Sequence, residues 1–101
     1  MSFYAINTAK AREGKLIKAK NAALALAAYL NENYDADIQV LANHDGHRAT
    51  LHWVSRHDSW TDREARSQQT ADDPKHDQLV AEINKYIDLF NSEWHFYDVV
   101  E

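Results

Sequence analysis

The chain of 101 residues contains no cysteine, only two glycines and a single proline. Without cysteine there can be no disulfide, no thiolate metal site and no cysteine nucleophile. Two glycines are too few for the glycine-rich loops that bind phosphate groups, and no G-x-S-x-G sequence marks a hydrolase. A chain that is acidic and free of cysteine is typical of the cytoplasm, which is the compartment we expect.

Positive charge is also scarce. Eleven Lys and Arg residues stand against 16 Asp and Glu residues, and no basic cluster offsets the net charge of −5. Nucleic-acid binding depends on neutralising phosphates, so we expect no nucleic-acid partner. The longest apolar stretch, Ala22–Leu30, is too short to span a bilayer, and strand-like sequence follows Met1 directly, without a signal peptide. We therefore expect no membrane partner and one domain over residues 1–101.

Hydrophobic periodicity divides the chain into strands and helices. Alternation of side chains marks strands, and a three-to-four spacing of apolar residues marks helices. Helix caps and a break at Gly14 set several of the boundaries. The predicted segments are a strand over Phe3–Thr8, a helix over Leu16–Tyr34, a hairpin over Ile38–His57, a short helix from the Ser59 cap to about Gln69, a helix from the Asp73-Pro74 cap with an apolar face reaching Phe90, and a strand over Glu93–Val100.

The hairpin is predicted from Asp45-Gly46, which lies between two alternating runs. Such a dipeptide favours a two-residue type I′ turn. That turn pairs Val40 with Leu51 and Ile38 with Trp53. One face of the hairpin then holds Ile38, Val40, Ala42, Ala49, Leu51 and Trp53, and the other holds Gln39, Leu41, Asn43, Arg48, Thr50, His52, Val54 and Arg56.

The element order predicts an α+β, ferredoxin-like βαββαβ fold, in which two helices cover one face of a four-stranded antiparallel sheet. The other face is left bare. Its apolar members make it a candidate surface for a second copy related by two-fold symmetry, and a monomer with a half-wet sheet is the alternative. The residues expected there are Leu41, Val54, Tyr4, Ile6, Tyr97 and Val99.

Two histidines are candidates for acid–base chemistry. Ser55 and His57 follow Trp53 on the helix-facing side of their strand, where a pocket rim is expected. His57 beside Asp58 is either an oriented base or an exposed loop end. His76 lies in the first turn of a helix, where the dipole favours a neutral imidazole. Its alternative is a half-exposed residue that is hydrogen-bonded to Asp72 or Asp73.

The tryptophans suit a flat ligand. Trp53 is predicted to pack beneath the helices, whereas Trp60 and Trp94 could line an aromatic pocket for a planar molecule. Ordinary packing is the alternative for each. His44 and His47 flank the turn, but a turn tip supplies too few converging ligands, so no metal site is predicted.

The run from Leu51 to Ser59, LHWVSRHDS, ends in a helix cap. With the length and the element order, it resembles the dimeric α+β barrel superfamily. That superfamily includes antibiotic-biosynthesis and quinol monooxygenases, haem-degrading monooxygenases, small cyclases and decarboxylases, and proteins without known activity. The resemblance implies a homodimer formed through the open sheet face and a small-molecule pocket between the helices and the sheet.

Resemblance to the antibiotic-biosynthesis monooxygenase type implies a monooxygenase-like or cyclase-like enzyme acting on a planar aromatic or polyketide-type molecule. Such enzymes often need no metal or prosthetic group, because the deprotonated substrate is itself electron-rich. His57 or His76 would be the base and Asn7 the oxyanion donor. The substrate contacts would be Trp53, Trp60 and Ser55.

Two alternatives remain. One is a non-catalytic small-molecule-binding or interaction protein on the same fold, with structural histidines. The other is haem binding. Asn7 and His76 match the strand asparagine and the axial histidine of the haem-degrading members, but the tryptophan position of those proteins falls near Arg66.

Overall fold

The computed structural model describes residues 1–101 and contains four strands and three helices. The predicted ferredoxin-like α+β fold is confirmed. In addition to the two helices of that fold, the short helix predicted from the Ser59 cap lies in the connection between the third strand and the helix that begins at Pro74. The elements are β1 (Phe3–Lys10), α1 (Leu16–Tyr34), β2 (Ile38–Ala42), β3 (Thr50–His57), α2 (Trp60–Thr70), α3 (Pro74–Asn84) and β4 (Glu93–Asp98).

The sheet is antiparallel throughout, and its strand order is β2-β3-β1-β4. Alternate residues of the central strand β1 are buried, among them Ala5 and Ala9. Small alanine side chains on α1 allow this helix to pack closely on the same face. The core they form contains Ala9, Ala19, Ala22, Ala23, Leu51, Ile83 and Ile87.

The predicted two-residue turn of the hairpin is wrong. Val40 faces Trp53 and Ile38 faces Ser55, so the register differs by two residues from the predicted one. Gly46 has a positive φ of 66°, but Asp45 does not, and a type I′ turn requires positive φ at both.

The loop between β2 and β3 is wider than a two-residue turn, and a hydrogen bond from a side chain closes it. Asn43 Nδ2 donates to the carbonyl oxygen of His47 at 3.0 Å, and this bond competes with a tight backbone turn. A shift of two residues leaves the side-chain parity unchanged. The face assignment therefore stands: Leu51 is fully buried, whereas Leu41 on the opposite face is 48% exposed.

The apolar face predicted to run along α3 as far as Phe90 is also wrong beyond Asn84, where the helix ends. Ile87 is buried through an isolated bridge to Ala11 rather than through a helical turn. Backbone bonds to the end of β1 draw the chain away from the helix axis, and Asp88 N–H donates to the carbonyl of Lys10 at 3.1 Å. Phe90 consequently lies 95% exposed.

Both predicted helix caps are present, and the second one also joins two helices. Ser59 Oγ accepts from the N–H of Asp62 at 3.1 Å, and Asp73 Oδ1 accepts from the first backbone N–H groups of α3. Asp73 Oδ2 accepts from the hydroxyls of Tyr29, at 2.6 Å, and Tyr34. These hydroxyl bonds lower the pKa of Asp73 to about 2, and the Asp73 carboxylate raises the pKa of Tyr29 to about 12.

None of the three helices combines the length and the hydropathy that a bilayer crossing requires.

We expect Asp73→Asn to lower the Tm by on the order of 5 °C. The amide keeps one oxygen that can accept from the cap N–H groups, but its NH₂ group cannot accept the hydrogen bonds of the Tyr29 and Tyr34 hydroxyls. A lowered carboxylate pKa stabilises the fold above the unfolded value of 3.8, and this contribution is lost as the pH falls through about 2. Thermal melts should therefore show a constant difference from the parent chain above pH 4 that shrinks towards pH 2.

Asp72→Asn is the matched control, because Asp72 is exposed and neighbours Asp73. An equal loss of Tm in the two variants would contradict the role of the tyrosine–carboxylate cluster.

Candidate functional site

A cavity with two adjoining lobes lies between the helices and the sheet. The lobes measure about 250 Å³ and about 270 Å³, and they share the residues Leu30, Ile38, Ser55, His76 and Trp94. We name the first the polar lobe; its other lining residues are Tyr34, Ala36, His57, Arg63, Arg66, Ser67 and Thr70. We name the second the apolar lobe; its other lining residues are Asn7, Leu26, Trp53, Val80, Ile83 and Leu89.

Strand alternation explains why these side chains meet. Trp53, Ser55 and His57 are every second residue of β3, so they share the helix-facing side. Asn7 on β1 lies directly opposite Trp53 on one side and Trp94 of β4 on the other. The sheet thus places an amide between two indoles on the wall of the cavity.

Five of the six predicted site residues line the cavity, namely Asn7, Trp53, Ser55, His57 and His76. Trp60 does not. It lies at the start of α2, where its ring stacks on Phe3 with centroids 5.8 Å apart, and its Nε1 donates to Glu64 at 2.9 Å. Trp60 is 49% exposed, so the structure gives it a packing position at the edge of the sheet.

His57 is paired with Ser55 rather than with Asp58. Ser55 Oγ lies 2.8 Å from His57 Nε2, whereas no bond joins His57 to Asp58. The strand ends at His57, and the expected bond to Asp58 is replaced by the bond to Ser55, which lies on the same face of β3. His57 is also buried at the end of β3, which excludes the exposed loop end.

The imidazole of His57 is held in its neutral form. Burial lowers its pKa below the usual 6.5, and the positive charges of Arg66 and Arg63 lower it further, against weaker opposition from Asp58 and Asp62. A neutral imidazole at pH 7 can accept a proton. The second histidine, His76, has its Nδ1 3.4 Å from the exposed carboxylate of Asp77.

Three buried polar atoms of the site have no hydrogen-bond partner: Asn7 Oδ1, Trp53 Nε1 and His57 Nδ1. Each such atom costs about 1–3 kcal/mol, and proteins leave few of them. All three belong to residues that line the cavity. Unpaired polar groups gathered in one wall are typical of a site that is completed by a ligand.

The contribution of α2 to the cavity was not predicted from the sequence. This helix presents Arg63, Arg66, Ser67 and Thr70 to the polar lobe. Their spacing of three, four and seven residues is the signal that could have revealed them, since it marks one face of a helix. Because this face of α2 is polar, apolar periodicity does not reveal it.

No group of three or more His, Asp or Glu side chains is placed to hold a metal ion. His44 and His47 lie in the loop between β2 and β3, and His47 Nδ1 is 3.4 Å from Thr50 Oγ1.

No protein-family model matches the chain, and no curated protein matches it in sequence. Several solved structures share its fold. A NIPSNAP family protein from Agrobacterium tumefaciens superimposes with a TM-score of 0.85 at 13% identity, over 100% of this chain and 95% of its own. SnoaB, a cofactor-independent oxygenase from Streptomyces nogalater, does so with a TM-score of 0.73 at 12% identity, over 99% and 94%.

A candidate antibiotic biosynthesis monooxygenase from Caulobacter crescentus matches with a TM-score of 0.76 at 14% identity, over 99% of this chain and 91% of its own. Superposition at identities this low establishes the fold and leaves the activity open. The element order, the sheet order and these neighbours agree with one another. The chain therefore has the ferredoxin-like α+β fold that these structures share.

Proposed function

We propose that this chain is a homodimeric enzyme, monooxygenase-like or cyclase-like, that acts on a planar aromatic or polyketide-type small molecule without a metal or prosthetic group. The observation that carries the proposal is the hydrogen bond of 2.8 Å between Ser55 and the neutral His57 on the wall of a largely apolar cavity. The shared fold with an oxygenase described as cofactor-independent supports it.

The apolar lobe suits the body of a flat molecule. Trp53 and Trp94 flank Asn7 there, and aliphatic side chains from α1 and α3 complete the wall. Indole rings offer large flat surfaces to an aromatic ligand, and a few polar groups among them orient it. Asn7 Oδ1 has no partner within the chain, so the amide is not committed to another side chain, and its Nδ2 group can donate to a ligand oxygen.

His57 would be the base. As the substrate gives up an acidic C–H proton, Ser55 Oγ takes it and passes its own hydroxyl proton to His57 Nε2. The electron pair of the broken C–H bond stays on the substrate as an enolate, whose oxygen is stabilised by an N–H of Asn7. The enolate then transfers electrons to dioxygen in an oxygenase, or attacks a carbonyl of the same molecule in a cyclase. His76, which lines both lobes, would contact the substrate beside this pair.

We expect the purified chain to accelerate the oxidation of anthrone, a planar tricyclic ketone with an acidic CH₂ group, to anthraquinone and water by dioxygen. His57→Gln should lower the rate on an oxygen electrode by about 100-fold, because general base catalysis contributes about 10²–10⁴-fold. His44→Ala is the control, since His44 is exposed in the loop between β2 and β3. Equal rates for parent and His57→Gln would contradict the assignment of the base.

The rate should be constant over neutral pH and fall only in acid. The pKa of His57 lies below the ordinary 6.5, so the base is unprotonated at neutral pH and is lost only as the pH falls through that lowered pKa.

A binding protein without catalysis is the second candidate, because the unpaired polar atoms of the cavity wall could hold a ligand whether or not it reacts. Binding of anthrone without turnover, measured by calorimetry, would favour that candidate.

The open face of the sheet supports the homodimer. Leu41 and Tyr97 are 48% and 55% exposed there. Three polar side chains of this face are already paired, since the Thr8 hydroxyl donates to His52 Nδ1 at 2.8 Å and His52 Nε2 donates to Asn43 Oδ1 at 2.7 Å. A face that pairs polar side chains with one another and carries exposed apolar side chains is suited to burial against a second copy.

Light scattering after gel filtration should give a mass of twice 11.7 kDa. The double variant Leu41→Asp/Tyr97→Asp should run as a monomer, because facing carboxylates would be buried without partners. Ile17→Asp/Leu24→Asp is the matched control on the outer face of α1, where both residues are also exposed. A parent chain of monomer mass would contradict the dimer.

Haem binding is retained as an alternative because Asn7 and His76 line the same apolar lobe. The His76 imidazole would supply the axial nitrogen, and the haem would supply an iron centre for oxygen chemistry. We expect no Soret shift when hemin is titrated into the chain. A stoichiometric shift that His76→Ala abolishes would instead establish the haem alternative.

A further inference from the structure

The polar lobe carries two arginines that form no ion pair within the chain. Arg63 and Arg66 both line this lobe. Neither guanidinium takes part in the ion pairs of the chain, which join His76 to Asp77, Lys85 to Glu82 and His95 to Glu93. Neither donates a side-chain hydrogen bond, although each carries five N–H donors.

The lining of the cavity contains no acidic side chain beside these arginines. The chain has 16 acidic residues, yet neither lobe of the cavity is lined by Asp or Glu. The nearest acidic residues of α2 do not neutralise the arginines. Glu64 accepts from Trp60 Nε1, and Asp62 forms no ion pair, although it lies four residues before Arg66, at the spacing where such pairs form on helices.

One of the two guanidinium groups is held in place before any ligand arrives. The Cζ of Arg63 lies 5.0 Å from the ring centroids of Trp60 and Trp94 and 5.1 Å from that of Phe96. Cation–π contacts with three rings hold the guanidinium in position and leave its N–H groups free for hydrogen bonds. Arg66 lies one helical turn further along α2, on the same face.

We propose that the cavity takes a planar aromatic or polyketide-type acid, whose carboxylate is held by Arg63 and Arg66 in the polar lobe while its rings fill the apolar lobe. This inference rests on the proposed function, which places the ligand in the same cavity. A carboxylate matches the fork of an arginine, which can donate two parallel bonds to it. The pairing would also neutralise the charge beside Ser55 and His57, where the proton transfer is proposed.

The two lobes adjoin, and this gives the ligand one orientation. Ser55 and Trp94 line both lobes, so a molecule anchored at its acid group in the polar lobe extends past Ser55 towards Asn7 and Trp53. The arginines would thus select for a charged end and set the distance between that end and the reacting carbon. They act as specificity residues, and the chemistry stays with Ser55 and His57.

Isothermal titration at pH 7.5 with 2-naphthoate and with 2-naphthamide tests the proposal, because the two probes share a ring system and differ in charge. We expect the carboxylate to bind at least about tenfold more tightly than the amide, as charge-assisted hydrogen bonds are the stronger ones. Arg66→Gln should remove about tenfold of the naphthoate affinity and leave the naphthamide affinity unchanged. Arg48→Gln, in the exposed loop between β2 and β3, is the matched control.

Equal affinities of the parent chain for the two probes would overturn the acid specificity while leaving a ligand-binding cavity, and so the proposed function, in place. A loss of naphthoate binding in Arg48→Gln equal to that in Arg66→Gln would also overturn it. Binding of neither probe would overturn the inference together with the planar ligand of the proposed function. The comparison of probes in the parent chain decides the matter even where Arg66→Gln does not fold.

Discussion

The packing of α1 on the sheet is the constraint on which the rest of the structure depends. The first half of this helix meets the core through Ala19, Ala22 and Ala23, which lie against Leu51 and the end of α3. Small side chains allow a close approach and leave no void. The second half carries the larger Leu26 and Leu30, and both line the cavity. A change of side-chain size along one helix thus separates a dense core from an open site.

The chemistry of the site follows from what covers each end of that cavity. Apolar side chains from α1 and α3 surround the end near Asn7 and Trp53, whereas the polar face of α2 covers the end near His57. Burial together with the arginine charges keeps His57 unprotonated, so one helix lowers the pKa of the base and offers an anion site. The two arginines that would bind an acidic ligand thus also lower the pKa of His57, although burial has the larger effect.

The two faces of the sheet have different roles, and the parity of the strands separates them. Residues of β3 alternate between the cavity and the open face, so that Trp53, Ser55 and His57 face the helices while His52 and Val54 face away. On the open face, hydrogen bonds join Thr8, His52 and Asn43. The proposed second copy would lie on that face, across the sheet from the cavity.

Local patterns in the sequence determined the elements, the caps and the face of each strand residue, because these depend on neighbours a few residues away. A register shift of two residues leaves every strand side chain on the same face of the sheet. The face assignment therefore remained correct, although the loop closed by Asn43 is wider than the predicted turn. The end of α3 was not predictable from spacing, since Ile87 is buried through pairing with Ala11.

Only the tertiary structure decided which residues meet in the site. Asn7, Ser55 and His76 come from three separate elements and share one cavity because α1 and α3 pack on one face of the sheet. The structure likewise excluded Trp60 and added Arg63 and Arg66, whose place is set by how α2 lies across the end of β3. The sequence alone determined which side chains could reach a pocket, and long-range packing determined which of them do, because no local pattern encodes the distance between elements remote in the chain.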